Sequence, residues 1–244
     1  MLLENKTAIV YGAAGAIGSA VARAFAREGA AVHLVGRTHQ TLERLAGFIR
    51  VDGGAAQIAQ LDVLDPAAVE QHANAVAANG GIDICFNATS NDDVQGTPLT
   101  EIDFDDLMRP VIKAVSVHFI IARAVARHML SRGSGVILVM AGGREAIPDL
   151  GGSHVAWSAL SGLCRQLASE LGPRGVRVVW LLSPGSAGPN ESELVETKSG
   201  NGGPLLGRRP SYDDVANAAV FASSAWARTM TATEINLTGG LVLD

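Results

Sequence analysis

Cysteine is nearly absent. Cys85 and Cys164 are the only two in a chain of 244 residues, too few for a disulfide scaffold and suited to a reducing compartment. Aromatic residues make up 5% of the chain, tyrosine is confined to Tyr11 and Tyr212, and lysine to Lys6, Lys113 and Lys198. Positive charge is not in excess. The net charge of -5, from 24 acids and 19 bases, argues against binding a nucleic-acid backbone. No uninterrupted apolar stretch approaches the ~18 residues a membrane span needs. Residues 1–6 carry no basic segment leading into an apolar one, so no secretory signal is expected and the cytoplasm is the expected location. The six histidines show no ligand spacing such as His-Glu-x-x-His, and no metal is expected.

Hydrophobic residues and glycine are what the chain has in quantity. The hydrophobic share is 48%, enough for a large core, and the 28 glycines fall mostly where apolar runs end. Short, nearly all-apolar runs at 7–11, 31–35, 56–61, 82–86, 135–140, 176–182 and 234–237 read as strands buried on both faces. Between them, helical spacing predicts helices over 16–28, 66–78, 104–129, 155–171 and 212–223. Another follows the second strand, with Leu42, Leu45 and Phe48 on one face. That alternation predicts an α/β fold, one doubly wound parallel sheet of about seven strands in a single domain over 1–244. Residues 186–208 break the rhythm with five glycines and no period. Lying just past the sixth strand, where open parallel sheets bind ligands, they are expected to form a substrate lid.

Gly12-x-x-Gly15-x-x-Gly18 falls between the first strand and the first helix. Glycines there let the backbone turn tightly and approach a pyrophosphate, whose charge the helix amino terminus favours. Ala16 and Ile17 lie inside the same turn. The second strand leads into Arg37-Thr38, with no Asp or Glu to bond the adenosine ribose hydroxyls. Arg37 offers a planar cation suited to a 2′-phosphate, so NADP is expected over NAD. Asp62-Val63 after the third strand and Asn87-Ala88-Thr89 after the fourth reach the same carboxyl edge, where polar groups can contact adenine or ribose.

Taken in order, the glycine turn, Leu61-Asp62-Val63, Asn87-Ala88, Ser183-Pro184-Gly185 and the terminal Ile235-Asn236-Leu237-Thr238-Gly239-Gly240 resemble the short-chain dehydrogenase/reductase family over essentially the whole chain. The resemblance implies a seven-stranded Rossmann sheet, NAD(P) binding that includes Pro184 and Gly185, a small-molecule substrate, and a homo-oligomer, tetramer or dimer. It also implies catalysis by a Tyr-x-x-x-Lys pair, helped by a Ser and an Asn. A Tyr whose pKa a neighbouring Lys⁺ lowers exchanges a proton with the substrate oxygen.

Aligned through Gly162 and Leu167-Ala168-Ser169-Glu170, this chain has Ser153 at the Tyr position, Trp157 at the Lys position, Gly142 at the Ser position and Ala114 at the Asn position. No Tyr-x-x-x-Lys occurs anywhere in the chain. A serine hydroxyl is not a practical general acid near neutrality, and indole carries no titrating proton. Replacement candidates are Glu145, Asp149 and His154, which follow the fifth strand together with Arg144. Either carboxyl could donate a proton if desolvated beside a cofactor, and is otherwise solvated or paired with Arg144. His154 titrates near neutrality but stands one position, about 100° of helix, past the Tyr position. His118, one turn after Ala114, is expected to be a core histidine. The readings left open are an atypical NADP-dependent oxidoreductase, a non-redox isomerase or cyclase using the dinucleotide as scaffold, and an inactive cofactor-binding or assembly protein.

Overall fold

Apolar five- to seven-residue runs alternate with amphipathic ones, and the chain condenses accordingly into a parallel sheet covered on both faces. The computed structural model describes residues 1–183, 185 and 203–243. Its elements are β1 (Thr7–Tyr11), α1 (Ala16–Arg27), β2 (Ala31–Gly36), α2 (His39–Val51), β3 (Ala55–Gln60), α3 (Pro66–Ala78), β4 (Ile84–Asn87), α4 (Phe104–Arg132), β5 (Gly135–Ala141), α5 (Ser153–Leu171), β6 (Val176–Leu182), α6 (Tyr212–Ser223) and β7 (Thr233–Asn236). Every strand pairing is parallel, in the order β3-β2-β1-β4-β5-β6-β7. This is a single Rossmann-like domain with a seven-stranded sheet.

Alternation along β1 divides the core. Ala8 and Val10 pack toward α1, α2 and α6, whereas Ile9 and Tyr11 pack toward α3, α4 and α5. The chain reverses hydrogen-bonding order between β1 and β4, and that switch places the ends of both strands side by side. Ala88 N–H donates to Tyr11 O at 3.0 Å. A ligand crevice lies at such a reversal in sheets of this kind.

Three expectations need correction. Phe48 is exposed, and α2 buries Leu42, Leu45, Ala46 and Ile49 instead. That set follows i, i+3, i+4, i+7, whereas Phe48 falls on the outer side. β4 starts at Ile84 because Asp83 is a bonding hub. It accepts from Thr7 N–H at 2.9 Å and pairs with Lys6 and Arg132. α5 begins at Ser153, two residues before the predicted start, with Ala156 N–H bonding to Gly152 O at 2.9 Å.

The proposed lid falls largely on 186–202, which lie outside the described residues, as does Pro184. Its described end turns at Pro204–Gly207, and Leu206 N–H donates to Gly239 O at 2.9 Å. No helix among the described residues is long and apolar enough to cross a membrane.

Candidate dinucleotide and catalytic site

Gly12 has φ +73°, and a Cβ there would lie 2.7 Å from Ala88 O. A Cβ on Gly18 would run into Gly12 O, well inside 3.0 Å. Both positions therefore require glycine, one for its backbone conformation and both for close approach. Gly15 N–H closes the turn onto Gly12 O at 3.1 Å. Gly15 caps α1 without a side-chain bond, so the first amides of the helix, at Ala16 and Ile17, have no side-chain acceptor. The segment Asn87-Ala88-Thr89 runs directly across this turn. Asn87 Oδ1 accepts from Thr89 N–H at 3.0 Å and from its hydroxyl at 2.8 Å, while Asn87 Nδ2 is buried without a partner. The cradle has the open amides and the shallow backbone that a pyrophosphate needs.

Beside it, Arg37 and Thr38 are exposed at the end of β2. The Arg37 carbonyl accepts from Gln60 Nε2 at 3.0 Å, which fixes the backbone and leaves the guanidinium outward. One acid does approach this region. Asp92, in the loop after β4, lies within electrostatic reach of Arg37 and is paired to Lys113; that pairing chiefly holds its carboxyl below the usual range. Asp62 is exposed and accepts from Leu64 N–H at 2.9 Å, Val63 is half-buried and Gly185 exposed.

The four positions expected to align with the family's catalytic residues have the following surroundings. Ala114 is fully buried in α4. Gly142 and Trp157 form a matched pair: any Cβ on Gly142 would fall inside the indole ring, whose Cε2, Cδ2 and Cζ2 are its nearest neighbours. The indole thus takes the volume a side chain at 142 would need. Ser153 is 1% exposed, yet it is bonded to a segment that sequence spacing did not associate with it. Its hydroxyl donates to Asp93 Oδ2 at 2.6 Å. Gln95 Nε2 donates to Ser153 Oγ at 3.1 Å and to Asp93 Oδ2 at 2.6 Å. Gly96 N–H donates to Asp149 O at 2.8 Å, and Gly151, at φ +54°, lets Val94 O come close. Residues 93–96 therefore lie along the entry to α5. The sequence signal was the acid pair Asp92-Asp93 in the loop leaving β4 at the carboxyl edge.

Glu145 and Asp149 are both exposed, and no side-chain hydrogen bond fixes either carboxyl among the described residues. Arg144 pairs with Glu234 of β7, and no ion pair joins it to Glu145 or Asp149 among the described residues. His154 is half-buried, and its Nδ1 is enclosed without a partner. It lines a cleft of about 280 Å³ with Trp157, Arg165 and Glu234, a different wall from that of Ser153. Glu234 also accepts from Trp180 Nε1 at 2.9 Å. His118 is 3% exposed, shares a bond with Ala114 O at 2.7 Å through Nδ1, and burial lowers its pKa to about 4. It is a core group. Burial pushes the Cys164 thiol up to about 12 and the Cys85 thiol higher still, so neither is a nucleophile. Among the described residues no three His, Cys, Asp or Glu side chains gather as a metal site.

A seven-stranded parallel sheet with a glycine cradle at its switch point defines a Rossmann-type protein. The family can be named more closely. A family model described as Enoyl-(Acyl carrier protein) reductase matches residues 12–242, and the chain belongs to the short-chain dehydrogenase/reductase family. It is 32% identical to D-threitol dehydrogenase of Mycolicibacterium smegmatis, over 99% of this chain and 94% of that one. Among solved structures it resembles an NAD⁺-bound xylitol dehydrogenase (25% identity, TM-score 0.86, 98% of this chain and 100% of that one). It also resembles a gluconate 5-dehydrogenase from Burkholderia cenocepacia J2315 in complex with NADP and tartrate (27% identity, TM-score 0.85, 98% and 96%). Such neighbours bind NAD or NADP.

Proposed function

We propose that this protein is a nicotinamide-dinucleotide-dependent oxidoreductase acting on an alcohol or carbonyl of a small molecule, with NADP(H) preferred, and that it works without the tyrosine–lysine pair usual in its family. The observation that carries the reading is the cradle of Gly12, Gly15 and Gly18 crossed by Asn87–Thr89. Two close backbone approaches there exclude any side chain and suit a bound pyrophosphate. Bound in it, the dinucleotide would supply the hydride chemistry, and this chain would supply binding, orientation and the proton. Gly12, Gly15, Ala16, Ile17 and Gly18 would take the pyrophosphate. Asp62, Val63, Asn87, Ala88 and Thr89 would border the adenosine and ribose, and Pro184 and Gly185 the nicotinamide side.

Preference for NADP rests on Arg37 and Thr38, exposed where a 2′-phosphate would lie, with no acid at the end of β2. Asp92 opposes Arg37 only in part, since Lys113 engages it. A soluble cytoplasmic enzyme, assembled as a dimer or tetramer, is the form this reading assigns. The polyol and sugar-acid dehydrogenases among its relatives make small polyhydroxylated molecules the first substrates to try. Isomerase, cyclase and pure assembly roles rest only on missing catalytic residues, and no contact among the described residues favours them.

Calorimetric titration with NADPH and NADH tests the reading. NADPH should bind more tightly, and Arg37→Ala should remove most of the difference, roughly 1–3 kcal/mol for a charge-assisted contact. Equal affinities in the unmutated protein would remove the NADP preference, and binding of neither dinucleotide would remove the function.

A further inference from the structure

We infer that Asp93 is the group that exchanges a proton with the substrate oxygen, with Ser153 and Gln95 as its positioning residues; this rests on the oxidoreductase reading above. Both donors, the Ser153 hydroxyl and the Gln95 amide, converge on the same oxygen, Oδ2. Gln95 also donates to Ser153 Oγ, so the three side chains close a ring of hydrogen bonds. Oδ1 has no partner among the described residues, and Asp93 is exposed. One carboxylate oxygen is thus anchored while the other is left unengaged, the arrangement that a fixed general base requires.

Its place in the fold carries the rest. Asp93 sits six residues beyond Asn87, on the segment that crosses the glycine cradle, and it is pinned to the first residue of α5. Chain connectivity and hydrogen bonding together tie it to both the cofactor cradle and the end of α5, where the family's proton donor would project. A serine at 153 is too short to reach as far as a phenol. The carboxylate extends outward from the Ser153 hydroxyl and so supplies the reach that serine lacks. Next to it in the chain is Asp92, held by Lys113 of α4, and the segment is tied to the loop before α5 through Gly96 N–H and the Asp149 carbonyl.

When bound, an oxidised nicotinamide would supply the hydride acceptor for the alcohol's carbinol hydrogen and its bonding pair. This chain's part is the proton: Asp93 Oδ1 would take it from the hydroxyl as the C–O bond becomes C=O. Asp93, being exposed, would then release it to water, so that one turnover would give one reduced dinucleotide, one carbonyl and one proton. Reduction runs the same steps backward and needs Asp93 protonated, which makes it the acid-favoured direction.

The test pairs kinetics with a readout that needs no turnover. The panel is D-threitol, xylitol and gluconate with NADP⁺, and Asp93→Asn should lower kcat/KM for oxidation at least a hundredfold, with dinucleotide affinity unchanged. Asp93→Glu should recover part of the rate. Ser153→Ala should move the acid limb of the pH profile without abolishing turnover, which a merely structural serine would not do. Separately, the ¹³C-carboxyl chemical shift of Asp93, followed by NMR with no dinucleotide present, should change in Ser153→Ala as the hydrogen bond to Oδ2 is lost. Full kcat/KM and an unchanged acid limb in Asp93→Asn, while dinucleotide still binds, would overturn the assignment and leave the oxidoreductase reading standing. A carboxyl signal indifferent to Ser153→Ala would equally overturn it. A chain that binds neither dinucleotide would remove both readings together.

Discussion

Substituting Gly142 by alanine should destabilise the protein, although alanine would stabilise an ordinary loop. The backbone at 142 is not in the left-handed region, so on conformational grounds a methyl would gain about 0.4–1 kcal/mol. Sterically the methyl has nowhere to go. Its nearest neighbours would be three indole carbons of Trp157, well inside the 3.0 Å below which something must shift, and an indole is a broad rigid plate, not a flexible chain end. Overpacking of this kind costs about 1–3 kcal/mol. In a domain of this size each kcal/mol moves Tm by about 2–4 °C, so Gly142→Ala should melt several degrees lower. The assay is urea unfolding of four proteins: the parent, Gly142→Ala, Trp157→Ala and the double variant. With the ring removed, the added methyl should be neutral or mildly stabilising, giving a coupling of about 1–3 kcal/mol between the two positions. A coupling below about 0.5 kcal/mol, the range of independent sites, would refute the pairing.

Two further outcomes follow from the cradle and the core. Gly18→Ala should abolish dinucleotide binding or unfold the β1–α1 turn, because its Cβ is directed into Gly12 O; near-normal calorimetric affinity would show the turn to be more compliant than its geometry. His118, with a pKa lowered to about 4 by burial against an ordinary value of 6.5, is neutral in the fold while the unfolded chain protonates. Its contribution is intact above pH 6.5 and is lost as pH falls toward 4. Urea midpoints across that window should therefore slope less steeply in His118→Leu than in the parent, and an identical slope would assign the acid sensitivity elsewhere, His72 being the next group so shifted.

The fold was legible because local signals repeat at every element. The helix at Pro66–Ala78 matches its predicted span, since Pro66 occupies the first turn and Asp65 bonds the amides of Ala67 at 3.0 Å and Ala68 at 3.2 Å. Strand ends were less legible where a side chain competes with the ladder, as Asp83 does ahead of β4. The glycine cradle could be read from spacing because its chemistry lies within seven consecutive residues. The proton-handling groups could not. Asp93 and Ser153 are separated by 60 positions, and Arg144 meets Glu234 only because β7 lies next to β6. Residues 144–154 are neighbours in sequence, whereas the partner of Ser153 comes from the loop after β4. The close packing at Gly142 likewise becomes intelligible only beside Trp157, a pairing across the turn into α5 that no single-element period encodes.

The most direct measurement follows the hydrogen itself. D-threitol and xylitol deuterated at their carbinol carbons, and gluconate deuterated at its own, would be incubated with the protein and NADP⁺ and the dinucleotide recovered for mass spectrometry. The account predicts deuterium on the reduced dinucleotide, one label per carbonyl formed, at a rate that falls at least a hundredfold in Asp93→Asn. Saturable dinucleotide binding with no label transferred from any of the three would contradict it.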